Sequence, residues 1–221
     1  MHEEVIPVLY SFRRCPYAMR ARMAIAAADC EIEHREILLS DRPEHLRAIS
    51  ATATVPCLEI RPGKVLVESL QIMSWALDQH DPLNWLPAQD QVKMADELIA
   101  SNDGEFKYNL DRFKYPTRYD DADPLTARSN AERFVIRLDE QLDQHTQLLG
   151  DKVSMADVAI FPFVRQFSRA DEEWFASTPY EAVRSWLARW EAAPIFGRIM
   201  AKIPVWQPSD PVLRFTTAFP S

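Results

Sequence analysis

The sequence predicts two halves of different architecture, an α/β half that ends near residue 80 and an all-helical half that begins near residue 91. Three observations lead to this prediction. Short apolar runs alternate with helix-like stretches in the first half. Pro82 and Pro87 then interrupt the chain, so residues 81–90 are expected to form a linker. Beyond residue 90 no convincing strand follows, and long segments with helical periodicity dominate.

The first half is expected to fold in the order β-α-β-α-β-β-α, which makes a small mixed sheet covered by helices. Alanine, methionine and isoleucine recur at helical spacing in the first helix. A turn that contains Pro62 and Gly63 separates two apolar runs and indicates a β-hairpin. The expected strands are 7–12, 31–38, 57–60 and 65–67, and the expected helices are 16–28, 43–49 and 69–79.

In the second half, the clearest local signal is Ser154 followed three residues later by Asp157, a pair typical of a capping box at a helix N-terminus. The helix after it is almost wholly apolar, which is typical of the middle of a helical bundle. We therefore assign this motif to folding rather than to catalysis. Prolines predict an extended tail over residues 204–221, either packed on the surface or frayed. The expected helices are 91–113, 125–148, 155–168 and 180–192.

Composition excludes several classes of function. A net charge of -8 argues against a nucleic-acid partner, since such proteins carry a basic patch. Four glycines allow neither a dinucleotide fingerprint nor a phosphate loop, and five scattered histidines lack metal-ligand spacing, so we expect no metal or nucleotide cofactor. Residues 1–4 do not resemble a signal peptide, and no apolar stretch of about 18 residues predicts a membrane span. Three cysteines do not make a disulfide framework, so we expect a cytoplasmic protein.

The most informative motif is Cys-Pro-Tyr-Ala at residues 15–18, where the first strand ends and the first helix begins. A helix N-terminus favours negative charge and lowers the pKa of a thiol from about 8.5 toward about 3.5–7.5. Nearby arginines are expected to act in the same direction: Arg13, Arg14, Arg20 and Arg22. Ala18 stands where a CxxC pair has its second cysteine, so Cys15 needs an external thiol for redox turnover, and glutathione is the candidate.

With this motif the chain resembles the cytosolic glutathione transferases, which join a thioredoxin-like N-terminal domain to an all-helical C-terminal domain. The resemblance covers nearly the whole chain and implies domains at 1–80 and 91–221, the second with an extended tail. Residues 12–18 look like the cysteine-type members, namely the omega-like transferases and the two-domain glutaredoxin. Cys15 is then expected to be the catalytic residue that faces the glutathione sulfur and forms a mixed disulfide with it. Phe12, which opens the motif, is expected to contact glutathione.

The resemblance implies five further glutathione-binding residues. Val55 and Pro56 match the family's Val-Pro, where the proline is cis, and Val55 is expected to pair its backbone with the cysteinyl unit. Glu68 and Ser69 match the family's acid–serine pair, with Ser69 at the γ-glutamyl carboxylate and Glu68 at the ammonium group. Arg42 aligns with a basic residue of omega-like members and is expected at the glycyl carboxylate.

The remaining candidates have a structural interpretation beside a functional one. Cys57, in a strand, and Cys30, at the end of the first helix, are more typical of core positions. The sequence does not determine whether Cys57 lies near Cys15. Aromatic residues at helical spacing either belong to the core or line a hydrophobic co-substrate pocket. The candidate pocket residues are Tyr17, Tyr108, Phe113 and Phe163.

Together these features favour a glutathione-dependent thiol transferase in which Cys15 accepts glutathione from a mixed disulfide or conjugate and a second glutathione releases it. Two alternatives stay open. Conventional conjugation of glutathione to an electrophile relies on a hydroxyl group, and Tyr10 and Ser11 are the nearest candidates. A non-catalytic binding module would bind glutathione weakly. The expected partners are glutathione and a disulfide or electrophile, with a homodimer also compatible and neither nucleic acid nor membrane expected.

Overall fold

A computed structural model describes residues 5–215. The chain forms two compact units. The first contains the chain up to Leu83 and again from Pro194, and the second contains Asn84–Ala193. The sequence analysis assigned residues 91–221 to the helical half, whereas the segment from Pro194 groups with the first unit in the structure.

The first unit has the predicted order β-α-β-α-β-β-α, and the predicted fold class is confirmed. Its elements are β1 (Val8–Ser11), α1 (Pro16–Ala27), β2 (Ile32–Glu36), α2 (Glu44–Ile49), β3 (Cys57–Arg61), β4 (Lys64–Leu66) and α3 (Ser69–Gln79). Strand β1 is central, with β2 parallel on one side and β3 antiparallel on the other. Strand β4 pairs with β3 as the predicted hairpin.

The two faces of this sheet are fixed by the alternation of side chains along β1. Tyr10 pairs with Cys57 of β3, and both are fully buried in a cluster with Leu46 of α2. Leu9 pairs with Leu58, and these two fully buried side chains point to the opposite face. The strand therefore supplies core residues to both faces and carries the chain directly into the turn that precedes Cys15.

The second unit is helical throughout its assigned elements, and none of the described helices is both long enough and apolar enough to cross a membrane. The single helix expected over 91–113 is divided by a wider π-helical turn at Asn102–Phe106, where Gly104 has φ -91° and ψ -105°. A short helix after Ser168 was not predicted. The helices are α4 (Val92–Ser101), α5 (Lys107–Lys114), α6 (Pro124–Gln144), α7 (Met155–Ser168), α8 (Glu172–Ser177) and α9 (Glu181–Ala192).

The C-terminal segment adds two elements that the sequence did not predict, α10 (Pro194–Ile199) and β5 (Arg214–Phe215). Strand β5 pairs antiparallel with β2 and, within residues 5–215, completes a five-stranded sheet in the order β4-β3-β1-β2-β5. The segment between α10 and β5 is extended, and Trp206 N–H donates to the Glu36 carbonyl at 2.8 Å. These backbone bonds explain why the segment groups with the first unit. Residues 216–221 of the expected tail lie outside the described residues.

The predicted capping box at the start of α7 is confirmed. Asp157 is fully buried, and its carboxylate accepts hydrogen bonds from Ser154 N–H at 2.9 Å and Ser154 Oγ–H at 2.7 Å. It also accepts from Leu148 N–H at 2.8 Å and from Trp186 Nε1–H at 3.2 Å. One side chain thus connects the α7 N-terminus to the preceding loop and to α9.

Replacement of Asp157 by alanine is expected to destabilise the protein by about 2–4 kcal/mol, because it removes a cap and leaves buried donors without an acceptor. Urea unfolding measures this change. Asp123→Ala is the matched control, because Asp123 caps α6 from an exposed position where water replaces the lost bonds. Equal losses of stability in the two variants would contradict the role assigned to burial.

Candidate active site

Cys15 lies in a tight turn between β1 and α1. Its backbone N–H donates to the Phe12 carbonyl at 3.0 Å, and its carbonyl accepts from Met19 N–H at 2.8 Å. The residue occupies the N-cap position with an extended backbone, and Pro16 follows at the first helical position, where its missing N–H costs no hydrogen bond. The Cys15 side chain makes no capping bond to the helix. Cys15 is partly exposed at the positive end of α1.

The Cys15 thiol faces the loop between α2 and β3. Its Sγ donates to the Val55 carbonyl oxygen at 3.6 Å, which brings together two of the residues that the sequence singled out. The Val55–Pro56 peptide bond is cis, as the family resemblance implied. Pro56 is buried, and Val55 is partly exposed beside the thiol.

The four nearby arginines lie in different environments around the turn. Arg14 is exposed, and its guanidinium lies 5.7 Å from the centre of the Phe12 ring. The backbone N–H of Arg13 donates to Glu36 Oε1 at 2.7 Å. The other two arginines are buried in α1 and reach different places, Arg20 toward α3 and Arg22 toward the turn before Cys15.

Glu68 and Ser69 mark the N-terminus of α3. Glu68 is the exposed N-cap residue, whereas Ser69 is the buried first residue of the helix. Ser69 Oγ accepts a hydrogen bond from Arg20 Nε at 2.9 Å, a contact that the sequence analysis missed. A hydroxyl, a helix N-terminus and a buried guanidinium therefore meet at one point, which suits a carboxylate. The sequence signal for this contact was the presence of Arg20 in a mainly apolar helix, because a buried charge requires a partner.

Arg42 makes a hydrogen bond to the loop that contains Val55, the residue beside the Cys15 thiol. Its Nη1 donates to the Thr52 carbonyl at 3.1 Å. Arg42 also lines a cavity of about 650 Å³ between residues 37–47 and residues 205–208. Among the described residues that line this cavity, neither Cys15 nor Ser69 is present. Arg42 therefore contacts the Val55 loop and also borders a separate space beside α2.

The candidate co-substrate residues fall into both units. Tyr17 of α1, in the first unit, is partly buried, and the Arg20 guanidinium lies 5.0 Å from the centre of its ring. In the second unit, Tyr108 is 53% exposed, and Arg112 lies 3.5 Å above its ring. Phe113 is partly exposed in α5.

Phe163 does not fit the expected pocket, and that prediction is wrong. It is fully buried in α7, together with its neighbours Pro162 and Val164. A helix that is apolar on all sides is buried on all sides, so aromatic spacing along α7 does not mark an open surface. Phe163 therefore belongs to the core of the protein.

All three cysteines are free thiols, and the other two differ from Cys15 in burial or in the pKa of the thiol. Cys57 is fully buried in β3, and burial together with Glu59 raises its pKa to about 11. Cys30 is partly exposed, and burial together with Asp29 raises the pKa of its thiol. The expectation that Cys57 belongs to the core is confirmed.

The hydroxyl groups nearest to Cys15 in sequence are enclosed. Tyr10 is fully buried, and its Oη lies 2.6 Å from His45 Nδ1 and 2.6 Å from Arg35 Nη1. Ser11 is also fully buried, and its Oγ accepts from Arg22. Both hydroxyl-bearing residues are fully buried, whereas Cys15 is partly exposed.

Comparisons with known proteins agree with this architecture. The family model for the glutathione S-transferase N-terminal domain matches residues 9–85, and the model for the C-terminal domain matches residues 87–189. The chain is 24% identical over 189 residues to glutathione S-transferase omega-1 of Mus musculus, covering 85% of this chain and 77% of the relative. It is 30% identical over 177 residues to maleylacetoacetate isomerase of Mus musculus, covering 74% of this chain and 79% of the relative.

Solved structures show the same fold. A glutathione transferase from Pseudomonas putida, with one glutathione disulfide bound per subunit, superposes with a TM-score of 0.77 at 19% identity and covers 92% of this chain and 94% of that chain. The two matched domain models span both units, so the fold is that of glutathione-dependent transferases. This chain belongs to the cytosolic glutathione transferase superfamily of enzymes.

Brief treatment of the folded protein with iodoacetamide at pH 7 is expected to label Cys15 first, since this thiol is partly exposed at a helix N-terminus. The pKa values of the Cys30 and Cys57 thiols are raised, so their labelling should increase at alkaline pH. Peptide mass spectrometry measures each site. Labelling of Cys57 ahead of Cys15 in the folded protein would contradict the burial described above.

Proposed function

We propose that this enzyme catalyses glutathione-dependent thiol–disulfide exchange with Cys15 as the nucleophile. The observation that supports this most directly is the position of Cys15 Sγ, at the N-terminus of α1 and 3.6 Å from the carbonyl of Val55. A thiolate is the reactive form of cysteine, and a helix N-terminus favours it.

The proposed reaction has two exchange steps. In the first, the Cys15 thiolate attacks the glutathione sulfur of a mixed disulfide. A new disulfide forms as the old one breaks, and the displaced thiolate takes a proton from water. In the second, the thiolate of another glutathione attacks the sulfur of the glutathione bound to Cys15, which releases glutathione disulfide and restores the Cys15 thiolate. Each turnover thus consumes one glutathione thiol, and the other half of the released glutathione disulfide comes from the mixed disulfide, whose second sulfur leaves as a thiol.

An external thiol is required in this scheme because the chain offers no resolving cysteine beside Cys15. Ala18 replaces the second cysteine of a CxxC pair, and Cys57 is fully buried with a raised pKa. A thiol that stays protonated and enclosed is a poor attacking group. The proposed cycle is therefore monothiol.

Glutathione is proposed to bind along the loops around Cys15. The backbone of Val55 would pair with the cysteinyl unit, the N-terminus of α3 at Ser69 would receive the γ-glutamyl carboxylate, and Glu68 would pair with the ammonium group. Phe12 and Arg42 would complete the site, Arg42 at the glycyl carboxylate. The Arg20–Ser69 hydrogen bond supports this orientation, because it adds a buried cation to the carboxylate end.

Two of the related proteins support the proposal. The solved transferase from Pseudomonas putida holds glutathione disulfide, which is the product of the second step proposed here. Glutathione S-transferase omega-1 of Mus musculus matches 85% of this chain.

Cys15→Ser is expected to lower the glutathione-dependent reduction of a cysteine–glutathione mixed disulfide at least about 100-fold, because the nucleophile of the covalent step is lost. Coupling glutathione disulfide formation to glutathione reductase measures the rate. Cys30→Ser is the matched control and should retain activity, since Cys30 lies at the far end of α1. Full activity of Cys15→Ser would overturn the proposed mechanism.

Ser69→Ala is expected to weaken glutathione binding about tenfold or more, because a hydrogen bond to a charged group contributes about 1.5–3 kcal/mol. Isothermal titration calorimetry on the Cys15→Ser protein measures the dissociation constant without covalent capture. Ser40→Ala, in an exposed loop, is the control and should bind glutathione as before. An unchanged constant in Ser69→Ala would refute the proposed carboxylate site.

The second candidate function is isomerisation of maleylacetoacetate with glutathione, which the 30% identity to the mouse isomerase favours.

Conventional conjugation is the other alternative. It requires a hydroxyl beside the glutathione thiolate, but Tyr10 and Ser11 are enclosed and only Tyr17 of the three nearest hydroxyls is partly exposed. Isomerase and aromatic-halide conjugation assays on wild type and Cys15→Ser distinguish these activities. Isomerase activity that survives in Cys15→Ser would favour isomerisation, and conjugation that survives would favour conventional conjugation.

A further inference from the structure

Arg22 is a charged side chain buried completely within α1, seven residues after Cys15. Its guanidinium turns back toward the N-terminus of the helix and contacts three successive residues of the turn that carries Cys15. Nη1 donates to Ser11 Oγ and, at 3.4 Å, to the Phe12 carbonyl, and Nη2 donates to the Arg13 carbonyl at 2.7 Å. A planar guanidinium suits this task, because its donors project in fixed directions.

The remaining edge of the guanidinium faces the C-terminal segment. Arg22 Nε donates to the Ile199 carbonyl at 3.2 Å, at the end of α10. The last carbonyls of a helix lack partners within the helix and attract a cation. Arg13 Nη1 makes a second, longer contact with the neighbouring Met200 carbonyl at 3.5 Å. The turn before Cys15 is thus held from the side of α1 and from the side of α10.

The charge of Arg22 acts on Cys15 as well as on the turn. Burial lowers the pKa of Arg22 to about 10, and Glu36 and Cys15 oppose that effect, while Arg13 adds to it. The guanidinium therefore stays charged at neutral pH. His34 of β2 also experiences this charge. Because an interaction between two sites is mutual, the group that gains from the Cys15 thiolate also favours that thiolate.

We propose that Arg22 is the positioning residue of Cys15, which fixes the turn through its three contacts and favours the thiolate through its charge. This inference rests on the proposed function of Cys15 and adds a fully buried residue that acts through the turn. A purely structural arginine would stabilise the turn without changing how Cys15 titrates. The two roles therefore differ in a measurable property.

The test compares two substitutions at Arg22. Arg22→Gln removes the charge, and Arg22→Lys keeps the charge but loses the planar set of donors. Both are made with Cys30→Ser, so that Cys15 is the accessible thiol, and the rate of iodoacetamide alkylation is measured between pH 5 and pH 10. We expect Arg22→Gln to move the alkylation profile upward by about one pH unit or more, and Arg22→Lys to move it less.

Arg35→Gln is the matched control. Arg35 belongs to the same unit and bonds to Glu33 and Tyr10, and none of its described hydrogen bonds reaches the turn before Cys15. Its alkylation profile should coincide with that of the parent protein. A folded Arg22→Gln protein with an unshifted profile, or an equal shift in Arg35→Gln, would overturn the proposal.

Loss of a buried arginine can also unfold the protein, so Arg22→Lys provides a second test. One ammonium group cannot bond to Ser11, Phe12 and Arg13 together, and we expect kcat/KM for mixed-disulfide reduction to fall about fivefold or more. Arg35→Lys should not show this fall, and equal losses would argue against positioning by Arg22. Failure of the proposed function would appear as activity that persists in Cys15→Ser. The alkylation profile does not depend on turnover, so it tests the role of Arg22 separately.

Discussion

A guanidinium buried in α1 must have its charge solvated by the protein, and this requirement organises the first unit around the turn before Cys15. The groups that satisfy Arg22 come from the end of β1, from the turn itself and from Ile199, which lies 177 residues away in sequence. Burying a charge without such partners costs several kcal/mol, so Arg22 contributes to holding these segments together. The geometry of Cys15 is consequently a property of the C-terminal segment as well as of α1.

The same enclosure limits which chemistry the turn can support. Tyr10 lies between Arg35 and His45 under the sheet, and Ser11 is bonded to Arg22, so both hydroxyls serve the structure. Cys57 is buried on the same sheet face as Tyr10. What the turn leaves accessible is a single thiol at a helix N-terminus, beside the backbone of Val55. The proposed exchange of disulfides requires such a thiol, whereas activation of a glutathione thiolate by a hydroxyl requires a group that both enclosed residues lack the exposure to provide.

Local signals predicted the parts of the molecule that depend on local interactions. Periodicity and turn residues predicted the β-α-β-α-β-β-α order, and the pairing of Ser154 with Asp157 predicted the start of α7. Strand β5 is two residues long and pairs with a strand about 180 residues earlier, so no periodic pattern announces it. The partners of Arg20 and Arg22 are non-local in the same way. Phe163 was placed in a pocket because aromatic spacing on α7 is the same for a core helix and a lining helix.

The surroundings of Arg22 also bear on how strongly a single cation should act in the proposed exchange. Glu36 carries the opposite charge and favours the charged form of Arg22, and its carboxylate also accepts from the Arg13 backbone N–H, so the field at Cys15 is that of an arginine with a nearby counter-charge. In disulfide exchange a lower thiol pKa raises the thiolate fraction but weakens each thiolate as a nucleophile, and the best attacking thiol titrates near the ambient pH. In the second step Cys15 is the leaving group, and a lower pKa then speeds departure. Cys15 must attack in the first step and leave in the second. A guanidinium whose charge is partly balanced by the Glu36 carboxylate would lower the pKa of this thiol only moderately, which suits both roles.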